Sequence, residues 1–184
     1  MRRANLEHLI RAAAAISDQY EIVIVGSQSI LGSFPDAPDE LLYSQEADVY
    51  PLADPRASDL IDGAIGEDSP FHAHFGYYAQ GVDETTSVLP IGWQDRLIRI
   101  QNRNTDLKVG LCLEPHDLAA AKLYAGRDKD RNFVSALIAH AMVEPTILRE
   151  RIQDLQGDPT RVSAALALFE RIQRAPSSDA RPAP

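Results

Sequence analysis

Apolar residues recur along this chain in two rhythms, and the switch between them marks out its elements. Leu6, Leu9, Ile10, Ala13 and Ile16 share one face at helical spacing, predicting a first helix over residues 5–18. Glu21-Ile22-Val23-Ile24-Val25 is a β-branched run and the clearest strand in the sequence. A short helix is expected from Ser27 to Gly32. Pro35, Asp36, Pro38 and Asp39 then make residues 34–44 a loop. Glu46 to Tyr50 reads as the second strand, ended by Pro51 and Pro55. Residues 57–65 read as a helix with Leu60, Ile61 and Ile65 buried and Gly66 as its stop.

Between residues 71 and 113 the pattern changes to strands and turns. Strands are expected at 75–80, 85–89, 96–101 and 107–113, with Asn102-Arg103-Asn104-Thr105-Asp106 as a hairpin loop. Beyond Pro115 every segment is helical: 117–125, 131–142, 145–155 and 159–174. Pro145 and Pro159 suit first-turn positions, and Asp158 can cap the last helix. The tail over 175–184 is rich in Pro, Ser and Ala and is expected to be disordered. The fold class is therefore α/β, of the α+β kind: a core over residues 1–114 and a helical region over 115–174, without internal repeats.

Composition narrows the chemistry. The 184 residues, 45% hydrophobic, are enough for a sizeable core. No apolar run approaches the roughly 18 residues that cross a bilayer, so no membrane role is expected. Leu6 to Ile16 is broken by Glu7, His8 and Arg11, an amphipathic helix rather than a signal peptide. The single cysteine, Cys112, excludes an intramolecular disulfide and fits a reducing cytoplasm. Within Leu111-Cys112-Leu113 it reads as a buried small hydrophobe, with a reactive thiol as the alternative. With 27 acids against 18 bases the net charge is −9. That argues against a broad nucleic-acid surface, although Arg96, Arg99, Arg103 and Lys108 could form a local basic patch.

Two clusters carry candidate chemistry. Glu46-Ala47-Asp48-Val49 puts two carboxylates on one side of a strand, roughly 7 Å apart at their Cα atoms. Such a pair can converge on one Mg²⁺ or bracket two ions about 3.5–4 Å apart. Upstream, Gly26-Ser27 closes a strand and opens a helix, where free N–H groups can cradle a phosphate. The second cluster runs from Leu113 to Asp130. On a helix starting near Asp117, Leu118, Ala121 and Ala125 form an apolar stripe with Lys122 at its edge, a point charge suited to a triphosphate oxygen. Arg127, Lys129 and Asp130 follow the break at Gly126. Solvated charges at a helix end are the bland reading of those residues.

In this order, Gly-Ser, then acid-apolar-acid-apolar, then Asp-Leu-x-x-x-Lys and Arg-x-Lys-Asp, the chain resembles the small polymerase-beta-like nucleotidyltransferases. The resemblance is to the bacterial DUF6036-type group, related to nucleotidyltransferase toxins of the AbiEii/MenT kind. It is carried by Gly76 to Arg96 and Leu113 to Asp130 and spans roughly residues 5 to 140. It implies a mixed sheet flanked by helices and transfer of a nucleoside monophosphate from an NTP to an RNA, protein or small-molecule acceptor. It also implies a possible cognate antitoxin as partner. Gly26 and Ser27 would hold the triphosphate with Lys122, Arg127 and Lys129. Glu46 and Asp48 would bind Mg²⁺, and Lys122 and Asp130 would complete the catalytic set.

The sequence departs from that pattern in three ways. Eighteen residues separate Ser27 from Glu46, a longer linker than usual, so the loop over 34–44 looks inserted. The first metal position is Glu rather than Asp. The third strand carboxylate has no clear counterpart, since Asp106 and Glu114 only flank the expected strand. These departures keep a second reading open, a non-catalytic nucleotide- or partner-binding module, with the apolar face of the last helix (Val162, Ala165, Leu166, Phe169, Ile172) as a pairing surface. His72-x-His74 has metal spacing but no companion ligands. His116 suits either substrate contact or a helix start. Trp93 suits either the core or base stacking.

Overall fold

A computed structural model describes residues 1–174. Helix α1 (Arg3–Ser17) precedes strand β1 (Glu21–Val25), which is joined through a 3₁₀ turn over Ser27–Gly32 to β2 (Glu46–Pro51). Helices α2 (Ser58–Ile65) and α3 (Pro70–Phe75) lead to β3 (Tyr78–Gly81), and a hairpin of β4 (Ile98–Ile100) and β5 (Val109–Cys112) closes the sheet. Helices α4 (Pro115–Ala125), α5 (Asp128–Ala139), α6 (Pro145–Gln153) and α7 (Pro159–Arg174) follow. The sheet order is β3-β2-β1-β5-β4. β1 runs antiparallel to β2 and parallel to β5, β2 parallel to β3, and β4 antiparallel to β5, so the sheet is mixed. β1 lies at its centre, and Ile22, Val23 and Ile24 are fully buried, which is why this strand is apolar at successive positions rather than alternating.

Helix α4 is the joint between the sheet and the helical region, and it is anchored by charge. Asp117 in its first turn is fully buried and receives Arg96 Nε at 2.9 Å and Arg96 Nη2 at 3.1 Å. Arg151 of α6 brings Nε to 3.2 Å of the same carboxylate. Glu114 caps the helix, accepting from the His116 backbone at 2.9 Å. The His116 ring sits 2.6 Å from Glu114 through Nδ1 and accepts the Glu144 N–H at Nε2, 2.8 Å away. Those contacts fix the tautomer, with Nδ1–H donating. Both ring nitrogens are thus committed to structure, leaving none for substrate.

Several expectations are corrected. Leu60 is 59% exposed, because only Ile61 and Ile65 of α2 turn toward the sheet. The strand expected over 75–80 starts only at Tyr78, because α3 runs to Phe75: Pro70 occupies its first turn and the Ser69 hydroxyl accepts from His72 N. Residues 85–89 form no strand. The backbone after them instead pairs with the turn before α7, Gln156 N donating to Leu89 O and Ile91 N to Asp154 O. Trp93–Arg96 is a 3₁₀ turn and Trp93 is partly buried. The proposed pairing face of α7 is used inside the chain: Phe169 and Ala165 are buried, and Val162, Leu166 and Ile172 pack on the same core. The basic patch loses Arg96 to Asp117, while Arg99 faces Glu21 at 3.5 Å. The tail expectation concerns residues outside those described.

Replacing Asp117 with alanine leaves two arginines facing each other without their anion. We expect a loss of about 3 kcal/mol or more in urea denaturation, against less than half of that for Arg99→Ala, whose pair is exposed. Equal losses would remove the anchor from this account.

Candidate active site

Strand alternation on β2 sets Glu46 and Asp48 on one face while Ala47 and Val49 are buried on the other. The register places Val25 opposite Asp48, so the chain leaving β1 passes beside that carboxylate. Gly26 adopts φ 70° there, and a Cβ on it would lie 2.0 Å from Asp48 Oδ2. Glycine is required twice over, for the backbone conformation and for the space. Ser27 then opens the 3₁₀ turn, whose first N–H groups have no partner within the turn. The Ser29 hydroxyl turns back to the Gly26 carbonyl at 2.8 Å and fixes the bend.

This half of the site is electrostatically strained. Burial pushes the Asp48 carboxyl up, repulsion from and hydrogen bonding with Glu46 push it further, and it reaches about 7. Lys122 and Lys129 act in the opposite direction without cancelling the rise. Tyr78, the register neighbour of Glu46, is pushed up to about 12 by burial and then by Glu46, so its hydroxyl stays protonated.

The other half comes from the corner between α4 and α5. Asp130 is 1% exposed and accepts from Arg127 Nε at 2.6 Å. Lys122 Nζ lies 3.1 Å from the second Asp130 oxygen, a charge contact without a hydrogen bond. Burial alone would raise the Asp130 carboxyl, but Arg127 and Lys122 outweigh it and hold it below its usual range. Asp130 is therefore an ionised tether. It restrains two cations, and the Lys122 ammonium, with three hydrogens, keeps donors for a further partner. Lys129 stands exposed beside them.

The structure thus brings Gly26, Ser27, Glu46, Asp48, Lys122, Arg127, Lys129 and Asp130 to one end of the sheet. Lys122 and Gly26 line the same cavity, of about 280 Å³. The other candidates fall away from it. Asp106 sits in a turn at φ 51°, and Glu114 is the cap of α4. The residue opposite Asp48 on β3 is Gln80, a neutral amide that donates to Asp62 Oδ1 at 2.7 Å. His72 accepts the Asp68 N–H, and among the described residues no cluster of three or more His, Cys, Asp or Glu is placed to hold a metal. Cys112 is fully buried and its thiol is pushed up to about 12, so it is inert packing.

Sequence reasoning missed part of the cavity wall: Thr85, Thr86, Ser87, Tyr124 and Arg161. The hydroxyl run carried a signal, since Asp83 followed by Thr85 is an Asx-turn pattern, and Asp83 Oδ1 indeed accepts from Thr85 N at 2.8 Å. Arg161 carried none, because its approach depends on how α7 crosses α4.

A carboxyl held at about 7 when folded and at its ordinary 3.8 when unfolded binds more protons in the folded state between those values. Stability therefore falls as pH rises through that window. Asp48→Asn should melt higher than wild type at pH 8, by a gain on the order of 2 kcal/mol, with the gap narrowing as pH falls through 7 and closing only below about pH 4. A lower melting point for the variant at pH 8 would show that the pair is not strained.

No described helix is long and apolar enough to cross a membrane. No curated protein and no solved structure matches the chain. One family does: its description reads "Nucleotidyltransferase of unknown function (DUF6036)", and it matches residues 4–169. That span takes in both carboxylates, the glycine turn and the Lys122–Asp130 corner, and the chain belongs to this nucleotidyltransferase family.

Proposed function

We propose that this chain transfers a nucleoside monophosphate from an NTP to an acceptor hydroxyl, with Mg²⁺ held by Glu46 and Asp48. One observation carries the reading: a strained carboxylate pair lies against a glycine turn, with a tethered lysine across the cavity. The donor set fits the ion. Two adjacent carboxylates without imidazole or thiolate are hard oxygen ligands, and Asp48, raised by burial and then by Glu46, is a group whose ionised form a bound cation would stabilise. Two such ligands are what Mg²⁺ ordinarily takes from a protein when phosphate oxygens supply others. When bound, the ion supplies positive charge to the phosphate oxygens of an in-line displacement.

The chain's own groups do the rest. Gly26 lets the backbone approach the phosphates, and the N–H groups opening the Ser27 turn point to them. Lys122 and Lys129 offset charge on the triphosphate, and Asp130 positions Lys122 and Arg127 rather than touching the reacting atoms. The acceptor oxygen bonds to the α-phosphorus as the bond from that phosphorus to the bridging oxygen breaks. Pyrophosphate leaves, and the hydroxyl proton passes to solvent. Little covalent chemistry falls to the protein in such a step, so positioning and charge supply most of the rate. Cys112 as the sole cysteine suits work in a reducing cytoplasm.

A second reading, a nucleotide-binding module without turnover, is favoured by Gln80. It occupies the β3 position beside Asp48 and is bonded to Asp62, so no third carboxylate enters from that strand. Calorimetry with Mg-NTP showing binding but no product would select it.

Incubation with Mg²⁺, each α-labelled NTP in turn and a bacterial lysate should place label in RNA, protein or a small molecule with wild type and not with Asp48→Asn. Equal labelling by both proteins would sink the assignment. Lys122→Ala should weaken Mg-NTP binding by about 2–3 kcal/mol in titration calorimetry, and unchanged affinity would take Lys122 out of the site. The reading extends to a toxin held by a cognate antitoxin. Expression of wild type then arrests host growth and Asp48→Ala does not, while normal growth with abundant folded wild type rejects that role.

A further inference from the structure

The turn over Ser27–Gly32 carries a polar side chain that the proposed reaction leaves without a task. Gln28 is fully buried, and neither its amide nitrogen nor its amide oxygen has a hydrogen-bond partner among the described residues. Asp130 Oδ1 and Arg151 Nε are buried without hydrogen bonds too, but each faces an opposite charge, Lys122 at 3.1 Å and Asp117 at 3.2 Å. Gln28 has no such compensation. A buried amide that loses water and gains no partner raises the free energy of the form that holds it there.

The backbone that carries Gln28 stands between two windings. Its 3₁₀ stretch runs six residues, although such runs seldom exceed about three or four. Its bonds from Ser29 N–H to Gly26 O and from Ser33 N–H to Ile30 O are both 3.2 Å long. Beside them Phe34 N–H already closes an α-type bond on Ile30 O at 2.9 Å. No proline interrupts Ser27 to Gly32, so nothing in the sequence bars α winding. The two windings differ at the phosphate end. In the 3₁₀ form the Ser29 N–H is taken by Gly26 O, whereas an α-helical first turn passes that carbonyl to Ile30 N–H and frees the Ser29 N–H for an anion.

We infer that Gln28 is a positioning residue that couples the winding of this turn to the triphosphate. The inference rests on the phosphate placement proposed above. Phosphate oxygens gain one more donor from the α form than from the 3₁₀ form, and a ligand shifts such an equilibrium by that difference. The unpartnered amide raises the 3₁₀ form and so lowers the cost of leaving it. Rewinding from about 120° to about 100° per residue turns the side chains about the axis and carries the Gln28 amide to groups it can bond. The turn packs on β2, which carries Glu46 and Asp48, and on α4, which carries Lys122, so its winding is felt on both sides of the cavity.

Gln28→Leu and Gln28→Met replace the amide by apolar groups of similar size. Thermal melting, and titration calorimetry with Mg-tripolyphosphate on the full chain, read the two sides of the coupling. Both variants should melt higher than wild type, because the 3₁₀ form no longer buries an unpartnered amide. Both should also bind Mg-tripolyphosphate about tenfold more weakly, because that release no longer favours the α form. In wild type, the backbone carbon NMR shifts of residues 28–31 should move toward α-helical values on saturation with Mg-tripolyphosphate. Higher melting points with unchanged affinity make Gln28 a structural liability alone and overturn the coupling. Lower melting points in both variants show that the amide is partnered and overturn the premise. Shifts that stay in place on binding overturn the rewinding and leave the phosphate site standing. Wild type that fails to bind Mg-tripolyphosphate overturns the phosphate placement, and this inference with it.

Discussion

Two carboxylates on one strand face, pressed against a glycine turn and the edge of the core, set the constraint on which the remaining architecture turns. Burial first and the neighbouring Glu46 second push the Asp48 carboxyl up to about 7, so the two cannot both stay ionised there at low cost. A protein could remove such strain by substitution or by direct salt bridging. This one does neither. It brings Lys122 and Lys129 near enough to moderate the charge, while the charge contact of Lys122 goes to Asp130 instead. Unpaired carboxylates on one side and a tethered ammonium on the other are complementary to a cation and an anion entering together.

That arrangement needs α4 held at a fixed height above the sheet, and the Asp117 anchor provides it. Arg96 arrives from the turn before β4 and Arg151 from α6, so one buried anion ties the sheet hairpin and the helical region to the helix that carries Lys122. Glu114 and His116 reinforce the same turn through the Glu144 backbone. Buried ion pairs are indifferent sources of stability, but they discriminate strongly between one docking geometry and another. Here the helix that must be placed well is the one fastened by charge.

The elements that local pattern specifies were legible. β1, the turn from Ser27 to Gly32, β2 and α7 match their sequence signals closely, because each has a run of one rhythm bounded by Pro, Gly or an Asx cap. The errors cluster between residues 60 and 97. There the chain is short of periodic apolar residues and long-range pairing decides. Residues 85–89 look extended in sequence, yet the backbone that follows them bonds to Asp154 and Gln156, some 65 residues away. The exposure of Leu60 and the inward use of α7 likewise depend on which neighbours arrive. Among site residues, the ones grouped by short spacing were readable. For His116 the structure selects the helix-start reading through Glu114 and the distant Glu144 backbone, whereas Arg96 was misjudged because its partner Asp117 is buried for reasons that no local pattern carries.

The division of labour across the site follows from the same physics. Under the proposed function, the groups that act on the triphosphate charge sit on regular elements: Glu46 and Asp48 on a strand, Lys122 on a helix. The cavity wall beyond Lys122 is built from the loop over 85–88 and from the start of α7, packed onto Tyr124 through Gly157 and Arg161. Loops tolerate substitution without moving the core, so such a wall can change while the carboxylate pair keeps its register with Val25.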